Sequence, residues 1–521
     1  MHILLVAAEN DALPGGKVGG LGDVIRDLPL VLARAGHSVS VITPGYGVFA
    51  AGDNATQIAK VTTSFCGRPE TVALFRIKLK NTDPDTGRNI DQLVLEHPLF
   101  SADGSGKIYV TDNHGPFATD ARRFALFCAA VARCIEEKHF GVIDVLHCHD
   151  WHTTLLLVLQ RYARDLPALR AAFSVYSIHN LSLQGIRPFD SGVDSALHKW
   201  FPGLEYDRKQ IGDPRYPDCV NLMRAGINLA DRVHTVSPTY AREILQASNW
   251  EQGQVGGEGL EEDLQRVEQE GRLFGILNGC DYSIEAAEPL DQKKLWIMVE
   301  KNLDRFAAGR DAGSPSHYFA LKNLSTFKRR RVAARPLLLS IGRLTTQKLF
   351  LLTREYRDHT VMDEFLKRLD QGIFIMLGSG DAWHDAFFTR MMQQHPNFLY
   401  LCGYSEELAQ SLYASSDLFV MPSIYEPCGI SQMLALRAGV PCLVHGVGGL
   451  NDTVHNQVNG FSFVGATLAE KTENLLATLS KALRIYRDKP ASWYRLQKGA
   501  RTSRFSWDDS VQLYLERLYR H

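Results

Sequence analysis

Two rhythms of apolar and polar positions run through this chain. Short, nearly continuous apolar runs end at Gly, Pro, Asn or Asp, the mark of strands buried on both faces. In the first half they lie at 3–8, 38–42, 72–79, 92–97, 142–147, 173–178, 232–236 and 273–277. A second series lies at 336–341, 373–377, 398–401, 417–421, 440–444 and 460–463. Helical spacing fills several of the gaps, notably 120–138 and 151–164. Strands alternating with helices predict parallel, doubly wound sheets, and two series predict two of them. A chain of 521 residues also exceeds a single hydrophobic core. Between the series, at 283–335, the periodicity weakens. That segment reads as a connector with some helix, a small-residue stretch at Gly309–Ser316 and a solvated basic run at Lys328–Arg331. Near the end, Ser506 is placed to cap a helix over Trp507–Tyr519, with Asp508 and Asp509 in its first turn.

In α/β sheets ligands gather where strands end. After the run 3–8 comes Gly15-Gly16-Lys17-Val18-Gly19-Gly20-Leu21-Gly22-Asp23, then a helix with Val24, Leu28, Val31 and Leu32 inward and a kink expected at Pro29. The glycines allow close backbone approach, and Lys17 adds a point charge. No Lys-Ser/Thr pair follows the last glycine, so it is not a P-loop. A turn this short is equally a plain strand-helix connection with a solvated lysine. Polar clusters close four more runs: His149-Asp150-Trp151-His152, His179-Asn180-Leu181, Ser237-Pro238-Thr239-Tyr240 and Asn278-Gly279-Cys280-Asp281-Tyr282. Arg343 and Lys348 flank the turn after 336–341, where a solvated basic pair is the plainer reading.

Leu418–Met421 leads through Glu426, Pro427, Cys428 and Gly429 into a helix from Ile430, ending near Gly439. N–H groups at such a helix start favour an anion, while Glu426 at the same mouth would repel a lone phosphate. The pair suits a ligand with phosphate at one end and hydroxyls at the other, as in a nucleotide sugar.

Composition narrows the class. Hydrophobic content is 45%, charged content 22% and net charge −1. Such a balance argues against nucleic acid or an anionic membrane as the main partner. The N-terminal apolar run lacks a basic lead-in and is too short for a signal peptide core, and no stretch is long and apolar enough to span a bilayer. Nine cysteines, an odd number set mostly in apolar runs, fit reduced thiols and a cytoplasmic protein better than disulfides. His147-Cys148-His149 follows a strand, where neighbouring side chains face opposite ways, so no metal is expected there.

Residues 422–454 resemble the signature of the bacterial glycogen synthase and plant starch synthase family. The matches are Pro422-Ser423, Glu426-Pro427-Cys428-Gly429, Gln432, Ala435-Leu436, Gly439, Gly448-Gly449-Leu450 and Asp452-Thr453-Val454. Lys17–Val24, His147–His152, Ile178–Gly185, Leu277–Tyr282 and Arg343–Lys348 resemble further motifs of that family. Three departures stand out. Glu285-Ala286 replaces a tryptophan, Gly342 replaces a serine, and Leu349 replaces a glycine.

The resemblance implies a GT-B fold, two Rossmann-like domains facing across a deep cleft. It implies domains at 1–282 (acceptor side) and 336–500 (nucleotide sugar), a connector at 283–335, and a helix at 501–521 crossing back. The implied reaction is retaining glucose transfer from ADP-glucose or UDP-glucose to the non-reducing end of an α-1,4-glucan, without cofactor or metal. The implied catalytic residues are His179, Glu426, Arg343, Lys348 and Asp150. The implied donor-binding residues are Lys17, Gly19, Gly20, Asn278, Arg343, Lys348, Glu426, Cys428, Gly429 and Ile430. A GT-B transferase with another acceptor, or a catalytically weak glucan-binding paralogue, stays open, as do the nucleotide and the oligomeric state.

Overall fold

The computed structural model describes residues 1–79, 90–110, 120–191, 194–283, 286–308, 315–329 and 335–520. Glu285 of the tryptophan replacement, most of the Gly309–Ser316 stretch, and Arg330 and Arg331 of the basic run lie outside them. The chain forms two compact units. One holds Met1–Ser248, Gly256–Gly279 and the C-terminal segment from Trp507; the other holds Asn249–Val255 and Cys280–Ser506.

The first unit is built on nine strands: β1 (His2–Val6), β2 (Ser38–Pro44), β3 (Ala55–Phe65), β4 (Arg68–Ile77), β5 (Ile90–Glu96), β6 (Val145–His149), β7 (Phe173–Ile178), β10 (Arg232–Thr235) and β11 (Leu273–Gly275). The small ladder of β8 (Ile186–Pro188) and β9 (Cys219–Asn221) stands apart. The sheet order is β11-β10-β7-β6-β1-β2-β5-β4-β3. Its seven strands from β11 to β5 run parallel. The edge departs from the parallel expectation, because β3, β4 and β5 pair antiparallel. The physical reason is visible in β3, which alternates buried and exposed positions toward its end. Such a strand needs cover on one face only and can sit at an antiparallel edge. Its polar alternation hid it from a search for continuous apolar runs.

One face of this sheet carries the helix Gly20–Arg34, which continues through Pro29. Val24, Leu28 and Leu32 pack with Ile3, Leu5, Val145 and Val175. Trp507, Val511, Tyr514, Leu518 and Tyr519 complete the same cluster. These belong to the terminal helix Trp507–Leu513 and the wider turn Tyr514–Leu518 that extends it, closed by Tyr519 N–H donating to Tyr514 O at 2.9 Å.

The second unit holds β12 (Leu337–Ile341), β15 (Ile373–Gly378), β16 (Phe398–Cys402), β17 (Leu418–Met421), β18 (Cys442–His445) and β19 (Gly460–Phe463). A two-residue hairpin pairs β13 (Glu355–Tyr356) with β14 (His359–Thr360). The six-stranded order β16-β15-β12-β17-β18-β19 is parallel throughout. Counted within the sheet it is 3-2-1-4-5-6, the Rossmann order. Helices Gln292–Ala308 and Pro315–Lys328 give Leu295, Trp296, Val299, Leu303, Leu324 and Phe327 to this core. Lys328 at the end of the second pairs with Glu300 at 2.6 Å.

In each sheet the winding reverses at the first strand. The crevice opened there lies between the loops after β1 and β6 in one unit, and after β12 and β17 in the other. Among the described residues no helix is long and apolar enough to cross a membrane.

Candidate active-site residues

At the reversal of the second sheet, the loop after β12 carries Gly342 to Lys348 and the loop after β17 carries Pro422 to Ile430. The two loops are tied by backbone and side chain. Ile424 N–H donates to Gln347 O at 2.9 Å, and Gln347 Nε2 donates to Tyr425 O at 3.2 Å. Between them Lys348 Nζ sits 3.0 Å from Glu426 Oε2, which also accepts from Ser423 Oγ at 3.2 Å. Glu426 is buried at 6% exposure, so its charge is held by these partners and not by water. Arg343 is exposed at the mouth of the same loop. Leu349, where the family has glycine, points into the second core at 3% exposure. Its Cβ is accommodated there, and Lys348 keeps its place beside Glu426.

Local packing accounts for the spacing of the signature. Gly429 takes φ +76°, a conformation that favours glycine. Gln432 Nε2 reaches back to Cys428 O (3.1 Å), Gly429 O (2.8 Å) and Thr453 Oγ1 (3.3 Å). Gly449 N–H donates to Glu426 O at 3.1 Å. A Cβ on Gly448 would stand 1.9 Å from Glu426 O, and one on Gly449 2.2 Å from Cys428 O. The Gly-Gly-Leu segment is thus the backbone rest on which the Glu426–Gly429 loop lies. Cys428 is buried at 4% exposure, and Ile430 immediately precedes the short helix Ser431–Arg437.

In the first unit the glycine-rich loop after β1 is already engaged. Glu9 Oε2 accepts from Val18 N–H at 2.8 Å and from Gly19 N–H at 2.6 Å, and its Oε1 accepts from Tyr109 O–H at 2.8 Å. A buried carboxylate therefore occupies the two N–H groups that lead into helix Gly20–Arg34. Lys17 Nζ lies 2.5 Å from Asp23 Oδ1 and 3.7 Å from Asp11 Oδ2. Burial pushes the Asp23 carboxyl above its usual range, against the pull of Lys17. Sequence reasoning had passed over Glu9; a carboxylate between a buried strand and a glycine loop was the available signal. Asn278, after β11, is buried at 4% exposure with its Oδ1 unpartnered among the described residues.

Asp150 and His179 follow β6 and β7, side by side in the sheet. Asp150 takes φ +56°, costly for a residue with a Cβ, and strain of this kind concentrates at functional positions. Its Oδ1 accepts from His179 N–H at 2.8 Å, and burial raises its carboxyl to about 7. His179 Nε2 stands 3.0 Å from His149 Nδ1. Burial lowers the His179 imidazole to about 3, so it is neutral at pH 7.

Beneath them runs a buried chain that the sequence only hinted at. Ile276 O, which can only accept, lies 3.3 Å from His234 Nε2, and Tyr514 Oη, which can accept or donate, lies 3.4 Å from it; a proton on Nε2 serves the carbonyl. His234 Nδ1 must then accept from Ser177 O–H (2.7 Å). Ser177 Oγ in turn accepts from His147 Nε2–H (2.7 Å), and His147 Nδ1 accepts from Tyr519 O–H (2.8 Å). With the His234 proton on Nε2, toward the carbonyl, every other donor direction follows. The chain pins the C-terminal turn to the sheet. Tyr519→Phe should leave the His147 Nδ1 lone pair buried and unpaired, lowering stability by about 1–3 kcal/mol. Urea titration monitored by near-ultraviolet circular dichroism checks this, and an unchanged midpoint would refute the assigned bond.

Among the described residues no cluster of three or more His, Cys, Asp or Glu is arranged to hold a metal, and all nine cysteines are free thiols. Residues 2–266 match the family model described as starch synthase catalytic domain, and residues 335–480 match that described as glycosyl transferases group 1. A glycogen synthase of Streptococcus equi subsp. equi is 34% identical, with 99% of each chain covered. One from Bacillus cereus is 32% identical, covering 99% of this chain and 98% of its own. Among solved structures, the catalytic domain of starch synthase IV from Arabidopsis thaliana, bound to ADP and acarbose, superposes with a TM-score of 0.75 at 27% identity. The match covers 100% of this chain and 98% of that one. A sucrose-phosphate synthase from Thermosynechococcus elongatus shares the fold alone, with a TM-score of 0.54 at 14% identity. Two Rossmann-like sheets, a signature whose spacing is explained by the packing around Glu426, and relatives matching over nearly the full length converge: this chain belongs to the glycogen and starch synthase family, glycosyltransferases of the GT-B fold.

Proposed function

We propose that the chain transfers glucose, with retention, from ADP-glucose or UDP-glucose to the non-reducing 4-hydroxyl of an α-1,4-glucan. The observation that carries this reading is the second unit's crevice, where Lys348 is held on Glu426 and Arg343 stands exposed on the same loop. Cleaving a sugar–phosphate bond builds negative charge on the leaving diphosphate and positive charge at the anomeric carbon. Arg343 and Lys348 answer the first, with Lys17 and the glycine loop around Gly19 and Gly20 assigned the same task in the first unit. Glu426 receives the sugar hydroxyls, with the backbone of Cys428, Gly429 and Ile430 beside it. Asn278 Oδ1, without a partner among the described residues, is a further acceptor for the donor. His179 is assigned to the anomeric centre and Asp150 to the incoming glucan. Protein cations supply the charge that a divalent ion supplies in other transferases. With no carboxylate assigned as nucleophile, attack from the leaving-group face accounts for retention.

Incubation with glycogen and either radiolabelled donor, followed by precipitation and counting, tests the proposal. Label should enter the glucan from at least one donor and be released by an α-1,4-specific amylase. Label in a small soluble product alone would indicate a different acceptor. No incorporation from either donor would overturn the assignment.

A further inference from the structure

Among the described residues, the His149 ring hydrogen-bonds one of the groups assigned above, His179, and is placed to decide what that group can do. Its ring is fully buried, stacked on His147 with centroids 4.1 Å apart. Its Nδ1 lies 3.0 Å from His179 Nε2, and its Nε2 is buried without a hydrogen-bond partner among the described residues. Burial holds both imidazoles neutral at pH 7, so each carries one ring proton. Two arrangements of those protons make the 3.0 Å bond. If His149 carried its proton on Nε2, an N–H would be buried with nothing to receive it. If the proton is on Nδ1, the orphan is a lone pair, and an unpaired acceptor is the more tolerable of the two. His149 therefore donates from Nδ1, His179 accepts at Nε2, and the His179 proton is left on Nδ1. His147 cannot compete for it, since both its nitrogens are committed to Ser177 and Tyr519.

The consequence falls on the ligand side. His179 is half-buried, its backbone is fixed by Asp150, and Nδ1 carries no bond among the described residues. We infer that His149 is a positioning residue: it locks His179 in the Nδ1–H form, so that the ring offers a donor to a sugar hydroxyl or to the departing oxygen. This inference rests on the proposed transfer reaction for its substrate, while the tautomer itself can be read without substrate. A ring in the opposite form would turn a lone pair toward the same atoms and lose a hydrogen bond to the transition state.

The test uses the full chain with histidine labelled by nitrogen-15, beside two variants. His149→Asn keeps a short side chain whose amide can still donate to His179 Nε2; His149→Leu cannot. In the free wild-type protein the His179 Nδ1 resonance should be of the protonated type and Nε2 of the unprotonated type. The Asn variant should keep that pattern and most of the turnover. His149→Leu should shift His179 toward the Nε2–H form and lower kcat about tenfold to a hundredfold, the size of one lost hydrogen bond, with donor KM nearly unchanged. A wild-type spectrum with the His179 proton on Nε2 would overturn the inference whatever the rates. So would a folded His149→Leu protein with wild-type turnover. Absence of glucose transfer by the wild type, with the expected tautomer present, would instead sink the proposed reaction and leave the assignment of the protons standing.

Discussion

Arg343→Ala should lower turnover at least a hundredfold while leaving the fold intact. The side chain is exposed, so its removal should change stability by no more than about 0.5 kcal/mol. On the proposed function its value lies in the reaction. Diphosphate charge grows as the glycosidic bond breaks, and a cation facing it is worth more in the transition state than in the ground state. Losing one such group typically costs about 3–4 kcal/mol. Free ADP should bind more weakly as well, because the diphosphate is present in both. Glu426→Gln should behave differently. Glutamine can keep the bond from Ser423 but no longer neutralises Lys348, 3.0 Å away. Turnover should fall, because the sugar loses a charged acceptor. Binding of free ADP should hold or tighten, because Lys348 is released toward the phosphates. Calorimetric titration of ADP into both variants, beside their rates, separates the two ends of the crevice. A loss of ADP affinity in Glu426→Gln as severe as in Arg343→Ala would show that the division into phosphate end and sugar end is wrong.

Legibility in the sequence followed the physics of burial. β1, β7, β12, β15 and β16 are wholly or almost wholly buried, and each was visible as an apolar run. β3 was not, because an edge strand needs only alternate apolar positions. β6 was displaced toward its N-terminus: Val142 extended the apolar run but is 77% exposed, while the strand carries on to His149 through two buried histidines. Polar residues buried in a strand defeat any reading that equates burial with apolar side chains, and the partners that satisfy them here come from distant segments such as Tyr519. The loop after β17 was legible because backbone constraint left glycines at fixed spacing, and the loop after β12 through its basic pair, Arg343 and Lys348. Lys17 and the Gly19-Gly20 pair were legible as a motif, whereas their engagement by Asp23 and Glu9 was not, since both bonds depend on how the loop folds back. Leu349 looked like a departure in sequence and proves to be a core residue, because a Cβ fits wherever the helix start faces the interior.

The buried histidines predict how the first unit fails in acid. Burial holds His179 down to about 3 and His234 to about 4, and puts His147 and His149 well below the usual imidazole value. In the unfolded chain each titrates near 6.5. Below that pH the unfolded chain binds protons that the folded unit cannot accept, so stability is complete above about 6.5 and is lost as pH falls toward the folded values. Each site loses about 1.4 kcal/mol per pH unit in that window, so at pH 5 the four together should remove several kcal/mol. Asp150 opposes them. Its carboxyl is raised to about 7, the folded form takes up the proton first, and acidification from 7 toward 4 favours folding at that site. Burial also raises the Asp23 and Glu96 carboxyls and lowers His152, so three carboxyls stand against five imidazoles and the balance stays with the histidines. His445, lowered to about 4 by burial, adds a smaller loss of the same sign in the second unit. Hydrogen exchange, corrected for the intrinsic pH dependence of amide exchange, should therefore show protection falling between pH 6.5 and 5 in peptides covering β6, β7, β10 and the Trp507–Leu518 turn. Peptides covering β15 and β16 should hold out to lower pH. Equal protection of both sheets at pH 5, or a loss confined to pH below 4, would mean that the imidazoles are not held neutral by the fold. The directional chain from Tyr519 to Ile276 would then have to be abandoned.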